Sequence, residues 1–591
     1  MSFIQQNKVA VAVSAVVGIG TLAGIVYYLN KSSSTSPDAK GTKKSKKRSP
    51  KKKKNSKASH SGTVVEEDPE TCIYPINEST KLPEIDDGTV EKLPAAEKEK
   101  WALSLKEKGN EYFKAEQYEK AITYYTDALK CKKDHIFYGN RSACYYALKE
   151  YEKAIEDATA ALEIKPDYSK CLLRRAHLYE DVGRFEDAVF DLTALSIYGG
   201  LADKSSESLL EKVLAKQADK MNREIYADLP KELPSSSSIS SFLGAFVKED
   251  IDLDLSKYAE ASGSYFLAKA LNELAKDTDE GYDEADNLFN QSVEQFEKDG
   301  YSGDDKKLAA IAYEYKGIFA FLKTLDNAAE LVEKALSINA RPRMYVVLAL
   351  IAADKGDYLT ADKNFNNAIA MDPNDPNIYY HYGQVFYLMG DLIKAEKNFE
   401  KAKELNPKNV FAYIQLACIT YRHNDFSKCL ELFNEAKAKF PTAPEIPNYL
   451  GEILFDKGDI DGATKQFDVA IKLQEVVPGN NVGVLPLINK SVIYQKSSQF
   501  QECISLLEKA VKVDPRSEIA WTNLGQLYLM LQRVEPAQEC FEKACVLCRS
   551  SEDRKQIISL LESAKIQLKV QKDESLSKKV KEIMSLYSAQ A

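Results

Sequence analysis

Small residues recur along most of the chain at a constant spacing. Seven residues after each of them comes a second small residue, and a proline often follows five residues later. Residues seven apart share one face of a helix, where small side chains let another helix approach closely, and proline ends the helix. In the middle of the chain the spacing is 34 residues: Ala361, Ala395, Cys429 and Ala463, then Ala368, Ala402, Ala436 and Ala470, then Pro373, Pro407 and Pro441. The pattern predicts repeated pairs of helices.

The same pairs of small residues continue on both sides of this stretch. They are Ala121/Ala128, Ala154/Ala161, Ala188/Leu195, Ala328/Ala335, Cys503/Ala510 and Ala537/Ala544. We expect three units in about 98–200, here called the first array. The second array has one weaker unit in about 260–298, with Tyr282, Ala285 and Phe289, and seven more in about 305–550. The chain is therefore predicted to contain about eleven helix pairs.

The repeat is similar to the tetratricopeptide repeat, a helix–turn–helix unit of 34 residues. Residues at the signature positions are Gly109, Tyr112, Ala121, Tyr125 and Ala128 in the first unit, and Gly383, Phe386, Ala395, Phe399, Ala402 and Pro407 in a later one. The resemblance implies an all-α superhelical solenoid in which each pair is stabilised by stacking on its neighbours. Residues 551–591 would then be capping helices.

One apolar segment near the N-terminus predicts a transmembrane signal-anchor helix. Val9–Leu29 contains no charged residue, and a helix of this length spans about 30 Å, the thickness of the hydrocarbon core of a bilayer. The alternative is a cleaved signal peptide, whose apolar core is shorter. Gly20 and Gly24 would let two such helices pair in a homodimer, and the alternative is packing against lipid alone.

The charges on either side of this segment predict its orientation. Residues 1–8 contain a single basic residue, Lys8, whereas Lys31–Lys57 contains twelve basic residues and one acidic residue. The part from Thr42 to Lys57 is rich in Lys and Ser and is here called the collar. The positive-inside rule then leaves the C-terminal side, and with it the bulk of the chain, in the cytosol. The collar is either a solvated spacer or a binding site for anionic lipid head groups.

Composition predicts the remaining boundaries. Residues 30–92 are first basic and then acidic with several prolines, which predicts a disordered linker. We expect an N-terminal repeat domain over 93–228, a Ser-rich linker over 229–258 with a loop at Pro234–Ser241, and a C-terminal repeat domain over 259–591. The short apolar run Phe242–Phe246 is a candidate to dock on a neighbouring surface.

Charge and motif content exclude several functions. The net charge is −9, and because the collar is basic, the remainder is acidic, which argues against nucleic acid as a partner. The repeats leave no stretch long enough for a catalytic domain, and no phosphate-binding loop or nucleophile elbow occurs. Cys545 and Cys548 lack further ligands for a zinc site and are expected to be buried. We therefore expect no enzyme, no cofactor and no metal.

Polar residues on the inner helices of the first array predict a peptide site. The concave face of such an array is lined by the first helix of each pair. Lys106 and Asn110 are four residues apart on the first of these helices, Asn140 begins the equivalent turn of the second, and Lys170 and Arg174 are four apart on the third. Cations and amides in one groove suit the carboxylates of an acidic peptide C-terminus. The alternative is solvated surface charge.

These five residues, here called the clamp, look like the dicarboxylate clamp of co-chaperone repeat domains. That motif is Lys-x-x-x-Asn, then Asn, then Lys-x-x-x-Arg, and all five positions match in this sequence. The resemblance implies binding of the Glu-Glu-Val-Asp C-termini of the seventy- and ninety-kilodalton cytosolic heat-shock chaperones.

The equivalent positions of the second array predict a surface of a different kind. It is aromatic, apolar and lightly polar, so we expect it to hold an amphipathic helix of a client protein. The alternative is ordinary packing between helices. These ten residues, here called the client groove, are Tyr380, Gln384, Tyr387, Phe411, Ile414, Cys418, Tyr421, Asn448, Glu452 and Phe455.

The order of these segments, together with the stretches Asp167–Arg175 and Phe411–Cys418, resembles one family. It is the fungal-type seventy-kilodalton import receptor of the translocase of the outer mitochondrial membrane. The resemblance implies a single-pass protein of that membrane, with residues 1–8 in the intermembrane space, that works with other translocase subunits. It would receive carrier-type precursors with internal signals from chaperones and pass them to the import pore.

Two alternatives belong to other function classes. A membrane-anchored scaffold or chaperone-docking adaptor without a translocation role shares every one of these features. A repeat-containing isomerase or phosphatase would need an additional catalytic domain. The mitochondrial location rests on the resemblance alone, because a helix of this length and charge would also suit the endoplasmic reticulum.

Overall fold

The computed structural model describes residues 72–199, 204–476 and 482–588. Within these ranges the chain forms 27 α-helices, a short 3₁₀ helix at Leu255–Lys257 and an isolated antiparallel bridge between Ile76 and Pro83. The prediction of an all-α repeat solenoid is confirmed. The contacts divide the described residues into two compact units, here called the first unit (described residues from 72 to 224, with 558–588) and the second unit (described residues from 225 to 557).

The first unit contains the three helix pairs of the first array. A short helix, α1, precedes them and a long one, α8, follows. The helices are α1 (Asp87–Lys92), α2 (Ala95–Lys114), α3 (Tyr118–Cys131), α4 (His135–Ala147), α5 (Tyr151–Ile164), α6 (Ser169–Asp181), α7 (Phe185–Gly199) and α8 (Lys204–Glu224).

The second unit begins with a short helix, α9, and continues with the eight pairs of the second array, which completes the expected eleven. The helices are α9 (Ser236–Leu243), α10 (Gly263–Leu274), α11 (Asp279–Asp299), α12 (Asp305–Leu322), α13 (Ala328–Ile338), α14 (Pro342–Asp354), α15 (Tyr358–Met371), α16 (Pro376–Leu388), α17 (Leu392–Leu405), α18 (Val410–Arg422), α19 (Phe426–Lys439), α20 (Glu445–Asp456), α21 (Ile460–Val476), α22 (Leu485–Lys496), α23 (Phe500–Val513), α24 (Glu518–Met530) and α25 (Val534–Leu547). The last two helices are α26 (Ser551–Lys572) and α27 (Glu574–Ser588).

Repeated aspartates fix where the second helix of several pairs begins. Each carboxylate accepts a hydrogen bond of 2.9–3.1 Å from the backbone N–H three residues ahead, which satisfies a donor that the first turn leaves open. The four aspartates are 34 residues apart: Asp357, Asp391, Asp425 and Asp459.

Glycines on the first helices allow the two helices of a pair to approach closely. A Cβ atom placed on Gly383 would come within 2.8 Å of the ring of Phe399, which is fully buried sixteen residues later. The same relationship recurs at Gly109/Tyr125, Gly451/Phe467 and Gly525/Phe541. The small residues and aromatics of the sequence pattern therefore form the contact inside each pair.

Part of the predicted disordered linker is ordered. The linker was expected to extend to residue 92, but residues 72–92 contain α1 and pack on the first helix pair. Tyr74, Ile85 and Val90 are buried in one cluster with Leu105, and Lys130 Nζ donates a hydrogen bond of 2.7 Å to the carbonyl of Ile85. Apolar packing thus holds this stretch in place, although its composition indicates disorder.

The Ser-rich loop predicted at Pro234–Ser241 is also different in the structure. Residues from Ser236 onward form α9, which packs within the second unit. Tertiary contacts here override the low helix propensity of serine.

Residues 558–588, which include most of α26 and all of α27, belong to the first unit. Residues 551–591 were expected to cap the second array. Ile566, Val570 and Leu576 lie in one buried cluster with Leu192 and Val213. Gln217 Nε2 donates to Glu562 Oε2 at 3.0 Å, and Lys569 pairs with Glu186 at 2.6 Å. The repeat pattern identifies helices, but it carries no information about which surface the final helices cover.

The predicted membrane span, Val9–Leu29, lies outside the described residues. So do the collar and the Gly20–Gly24 pair. Among the helices that the structure does describe, none combines the length and the hydropathy needed to cross a bilayer.

Candidate functional site

The clamp residues lie on α2, α4 and α6, the first helices of three consecutive pairs. Contacts join α2 to α4 and α4 to α6, so these helices form a continuous surface. The start of α4 is fixed by Asp134, whose carboxylate accepts a hydrogen bond of 2.8 Å from the N–H of Ile136. This cap sets the register that places Asn140 beside α2.

The structure brings Asn110 and Asn140 into direct contact. Asn140 Nδ2 donates to Asn110 Oδ1 at 3.1 Å, and the hydroxyl of Tyr125 donates to the same oxygen at 2.8 Å. The oxygen of Asn110 already accepts two hydrogen bonds. Its side-chain nitrogen, which is a donor, is therefore the atom through which Asn110 can bind a ligand. Two half-buried amides are thereby oriented on adjacent helices.

Gly109 determines the position of this tyrosine. A Cβ atom at Gly109 would lie 2.8 Å from Cε1 of Tyr125, closer than carbon atoms pack. Tyr125 is almost completely buried, and burial raises the pKa of its hydroxyl, so the group remains a neutral donor to Asn110. Gly109, the signature glycine of the repeat, thus contacts Tyr125, and Tyr125 in turn holds Asn110 of the clamp.

Arg174 lies on the surface of α6 that faces α4. Its Nη1 donates to the carbonyl of Gly139, the residue before Asn140. A Cβ atom at Gly139 would meet Cys171 Sγ at 2.9 Å, so α4 and α6 are in close contact here. The structure therefore places Arg174 next to the paired amides.

The two lysines of the clamp keep their charges near solvent. The side chain of Lys106 is 22% exposed, and its nearest acidic oxygen, on Glu107, is 3.9 Å away. Lys170 is exposed and lies one turn before Arg174. Both ammonium groups are available to a carboxylate ligand.

The thiols beneath the clamp are unreactive. Burial raises the pKa of Cys144 to about 12 and that of Cys171 to about 11, although the nearby Arg174 acts in the opposite direction. Both thiols are therefore protonated at neutral pH and provide packing rather than chemistry.

Two ion pairs that support the clamp were not predicted from the sequence. Arg141 binds Asp157 through two hydrogen bonds of 2.7 and 2.8 Å, and Arg175 binds Asp191 through two of 2.7 Å. Each arginine directly follows a clamp residue. Burial of Asp191 at 1% exposure makes the second pair a structural one. The sequence does carry a signal for them, since both the arginines and the aspartates are 34 residues apart.

The residues of the client groove are less exposed than an open groove requires. Four of them are buried: Tyr380, Ile414, Asn448 and Glu452. The other six are half-buried: Gln384, Tyr387, Phe411, Cys418, Tyr421 and Phe455. Only the half-buried residues offer surface to a partner in this conformation.

Several of these side chains bind one another. Gln384 Nε2 donates to the hydroxyl of Tyr380 at 2.9 Å. Asn489 Nδ2 donates both to Asn448 Oδ1 at 3.1 Å and to Glu452 Oε1 at 2.9 Å. A buried carboxylate and two amides thus cross from α20 to α22, which links two repeats through polar contacts.

Two features bear on metal binding: groups of possible ligand residues and the two neighbouring cysteines of the sequence. Across the described ranges, no group of three His, Cys, Asp or Glu residues has the arrangement to hold a metal ion. Cys545 and Cys548 are buried, in agreement with the expected packing role.

Comparison with known proteins gives consistent matches. Models described as tetratricopeptide repeat match residues 106–169, 376–409, 486–517 and 519–549, and one described as TPR repeat matches 350–390. The mitochondrial import receptor subunit TOM70 of Saccharomyces cerevisiae is 39% identical over 543 residues, which cover 87% of each chain. TOM70 of Homo sapiens is 25% identical over 502 residues, 80% of each chain.

A solved structure agrees with this result. The crystal structure of yeast Tom70 covers 82% of this chain and 100% of its own, with a TM-score of 0.55 and 42% identity. The helix pairs stacked within each unit therefore define a tetratricopeptide-repeat solenoid, a class that presents long concave surfaces to other polypeptides. The chain belongs to the family of the mitochondrial import receptor subunit TOM70. Members of that family are receptors, which confirms the prediction that the chain is not an enzyme.

Proposed function

We propose that this chain is a receptor of the mitochondrial outer membrane that docks cytosolic chaperones through the clamp and receives their precursor clients in the client groove. Val9–Leu29 anchors it in a single pass, and the repeat units lie in the cytosol. The client then passes to the import pore formed with other subunits of the translocase.

The contact between Asn110 and Asn140 carries the chaperone part of this proposal. A chaperone tail ending in Glu-Glu-Val-Asp offers a main-chain carboxylate and a side-chain carboxylate at its last residue. Two oriented amides and Arg174, with lysines on either side, match such a pair of anions, because charge-assisted hydrogen bonds to carboxylates are the strongest ones available to a protein surface. Asn110 is held by the buried Tyr125, and this ordering favours a binding site over unordered surface groups.

The client part rests on the second array. Its half-buried aromatic residues, Tyr387, Phe411, Tyr421 and Phe455, repeat along successive first helices. Side chains of this kind suit the apolar face of a helix laid along the groove. Precursors of the carrier type are the expected clients, with internal rather than N-terminal signals.

Import into isolated fungal mitochondria tests the proposal. In these mitochondria the full-length chain is the only receptor of this family. They are incubated with a radiolabelled carrier-type precursor that is bound to chaperone. The chain is wild type, Arg174→Ala or Arg184→Ala. Arg184 is an exposed arginine of the same array, paired with Asp187 outside the clamp, so the two variants change net charge equally.

We expect Arg174→Ala to reduce chaperone-dependent precursor binding about tenfold or more, since it removes a charge-assisted contact of about 1.5–3 kcal/mol. Arg184→Ala should behave as wild type. Equal binding by all three chains would contradict chaperone docking at the clamp. Precursor that binds to wild type but is never imported would instead support the adaptor without a translocation role.

A further inference from the structure

Residues 235–250, here called the inner segment, lie against the first helices of the second array. The segment starts with α9 and continues as extended chain. At its start the serines contact three acidic residues of the second array. The N–H of Ser236 donates to Asp279 at 2.8 Å, Ser237 Oγ donates to Asp514 at 3.2 Å, and Ser240 Oγ donates to Asp277 at 3.2 Å. The helix is thus held by side chains far apart in sequence.

The middle of the inner segment is anchored by one aromatic ring. Phe246 is 6% exposed, its ring centroid is 4.2 Å from that of His381 on α16, and Arg343 Cζ lies 4.6 Å above it. The next backbone N–H, of Val247, donates to Asn377 Oδ1 at 2.8 Å. An aromatic side chain in a pocket and a side-chain amide on the backbone are typical of a bound peptide.

The end of the inner segment contributes a carboxylate to a buried charge network. Glu249 accepts two hydrogen bonds from Arg341, of 2.7 and 2.8 Å, and one of 2.6 Å from Arg343. Both arginines also contact Glu314, which is completely buried. If Glu249 leaves, two guanidinium groups share a single carboxylate, so the site keeps a net positive charge.

The inner segment overlaps one end of the client groove. Ala245 belongs to the same buried cluster as Tyr380, with Phe411 packed against it. A Cβ atom at Gly244 would lie 3.9 Å from the ring of Phe411. Val247 is 45% exposed and Lys248 is exposed. The segment therefore presents one face to the groove and the other to solvent.

We propose that the inner segment is an internal ligand of the client groove, which a client must displace. This inference rests on the proposed function, in which the groove receives clients. The displaced site takes a segment of the same chemistry: a short apolar turn with an aromatic side chain, followed three residues later by a carboxylate, as Phe246 is followed by Glu249. The aromatic enters between His381 and Arg343, and the carboxylate binds the two arginines.

A peptide supplied in trans tests this proposal. The probe is a fluorescent synthetic peptide with the sequence of residues 236–250. It is titrated against the full-length chain as wild type, as Phe246→Ser/Glu249→Gln, and as Lys248→Gln. The last variant changes an exposed neighbour and is the matched control. A peptide that itself carries Phe246→Ser and Glu249→Gln controls for non-specific binding.

The chain with the disabled segment should bind the probe about tenfold more tightly than wild type, as expected when an internal ligand fills the site nine-tenths of the time. Lys248→Gln should match wild type, and the altered peptide should bind none of the chains. Equal affinity of wild type and the double variant would overturn the proposal, as would a folded double variant that binds no probe.

Hydrogen exchange on wild type gives a second measurement, which does not depend on the folding of any variant. Saturating unlabelled peptide should speed exchange at the amide of Val247, because displacement breaks its bond to Asn377. Unchanged exchange overturns the proposal.

If the peptide displaces the segment but no precursor binds the chain, the proposed client function fails while the internal ligand stands. If precursor binds the chain but peptide does not change the exchange at Val247, the internal ligand fails while the proposed client function stands.

Discussion

Asn140 Nδ2 donates a hydrogen bond of 3.1 Å to Asn110 Oδ1, and this contact joins the first two helix pairs of the first array at the centre of the clamp. The two residues are 30 positions apart and lie on α2 and α4. The bond orients both amides before any ligand arrives. A preorganised site loses less entropy on binding, so such a contact favours affinity.

Substitution of Asn140 tests whether this amide acts on an anion. Asn140→Ala removes a hydrogen-bond donor and should weaken binding of an acidic C-terminal peptide by about 1 kcal/mol, or about fivefold. Asn140→Asp places a negative charge in the site and should weaken binding further. Fluorescence anisotropy gives the order of affinities, and an aspartate variant that binds as tightly as wild type would contradict an anion site.

Replacement of Gly109 by alanine tests the packing beneath the clamp. Alanine in a helix is favoured over glycine by about 1 kcal/mol, so propensity alone predicts stabilisation. The new Cβ would instead lie 2.8 Å from Tyr125, and overpacking of this kind costs about 1–3 kcal/mol. We expect a lower midpoint of thermal unfolding and weaker peptide binding, because Tyr125 holds Asn110.

Gly199→Ala is the matched control for this substitution. Gly199 is exposed at the end of α7, and no atom of the described residues lies within 4 Å of the Cβ that alanine would add. Its thermal midpoint should stay the same or rise slightly. A rise in both variants would show that the close contact at Gly109 is unimportant.

The sequence predicts the repeats well because their chemistry is local. The spacing of Ala395 and Ala402, with Phe399 between them, gives both the helix and the face that packs, and the structure places Phe399 against Gly383 as the motif requires. Clamp residues follow in the same way, since their helices and their faces are set by the repeat.

What the sequence does not reveal is the packing between segments that do not repeat. Phe246 is apolar and was a candidate to dock, but nothing in the chain indicates that its site is formed by His381 and Arg343. Leu576 follows a helical pattern without showing that its partners are in the first unit. Contacts of this kind join segments that are far apart in sequence, and a repeat with a period of 34 residues carries no information about them.

Loss of Asp191 should destabilise the first array. Its carboxylate binds Arg175 through two hydrogen bonds and is 1% exposed. Asp191→Asn leaves the guanidinium of Arg175, which is 15% exposed, without its counter-ion. Breaking a buried pair by removing one partner costs about 3 kcal/mol. Thermal unfolding followed by circular dichroism measures the effect.

An exposed pair in the same repeat provides the comparison. Asp187→Asn removes the partner of Arg184, where both side chains are more than 40% exposed. Surface pairs contribute about 0–1 kcal/mol, so its midpoint should barely move. If the two variants lose the same stability, the Arg175–Asp191 pair is not a buried structural contact.

The stability of the second unit should depend on His381 in mild acid. This side chain is 2% exposed, with Nδ1 3.0 Å from Gln384 Oε1, and its ring contacts those of Phe246 and Tyr380. Burial lowers the pKa of His381 to about 3, against the opposing effect of its hydrogen bond to Gln384 Oε1 and with a smaller contribution from the positive charge of Arg343. The folded chain therefore takes up the proton near pH 3, whereas the unfolded chain takes it up near pH 6.5.

The unfolded chain binds this proton at a higher pH than the folded chain does, so acid lowers the free energy of unfolding. The full stabilisation is present above pH 6.5 and is lost as the pH falls below it, by about 1.4 kcal/mol per pH unit. Between pH 7 and 5, wild type should lose about 2 kcal/mol more unfolding free energy than His381→Gln does. Identical curves for wild type and His381→Gln would show that this imidazole is not buried as a neutral group.

Peptide titration tests the central claim, carboxylate capture by the clamp, most directly. The purified full-length chain in lipid nanodiscs is titrated calorimetrically with a peptide ending in Glu-Glu-Val-Asp, with its C-terminus either free or amidated. The chains are wild type, Arg174→Ala and Arg184→Ala. We expect wild type and Arg184→Ala to bind the free acid alike, and either amidation or Arg174→Ala to weaken binding by about 10- to 150-fold. Equally weak binding of both peptides to all three chains would contradict the claim and leave the client groove to carry the receptor function.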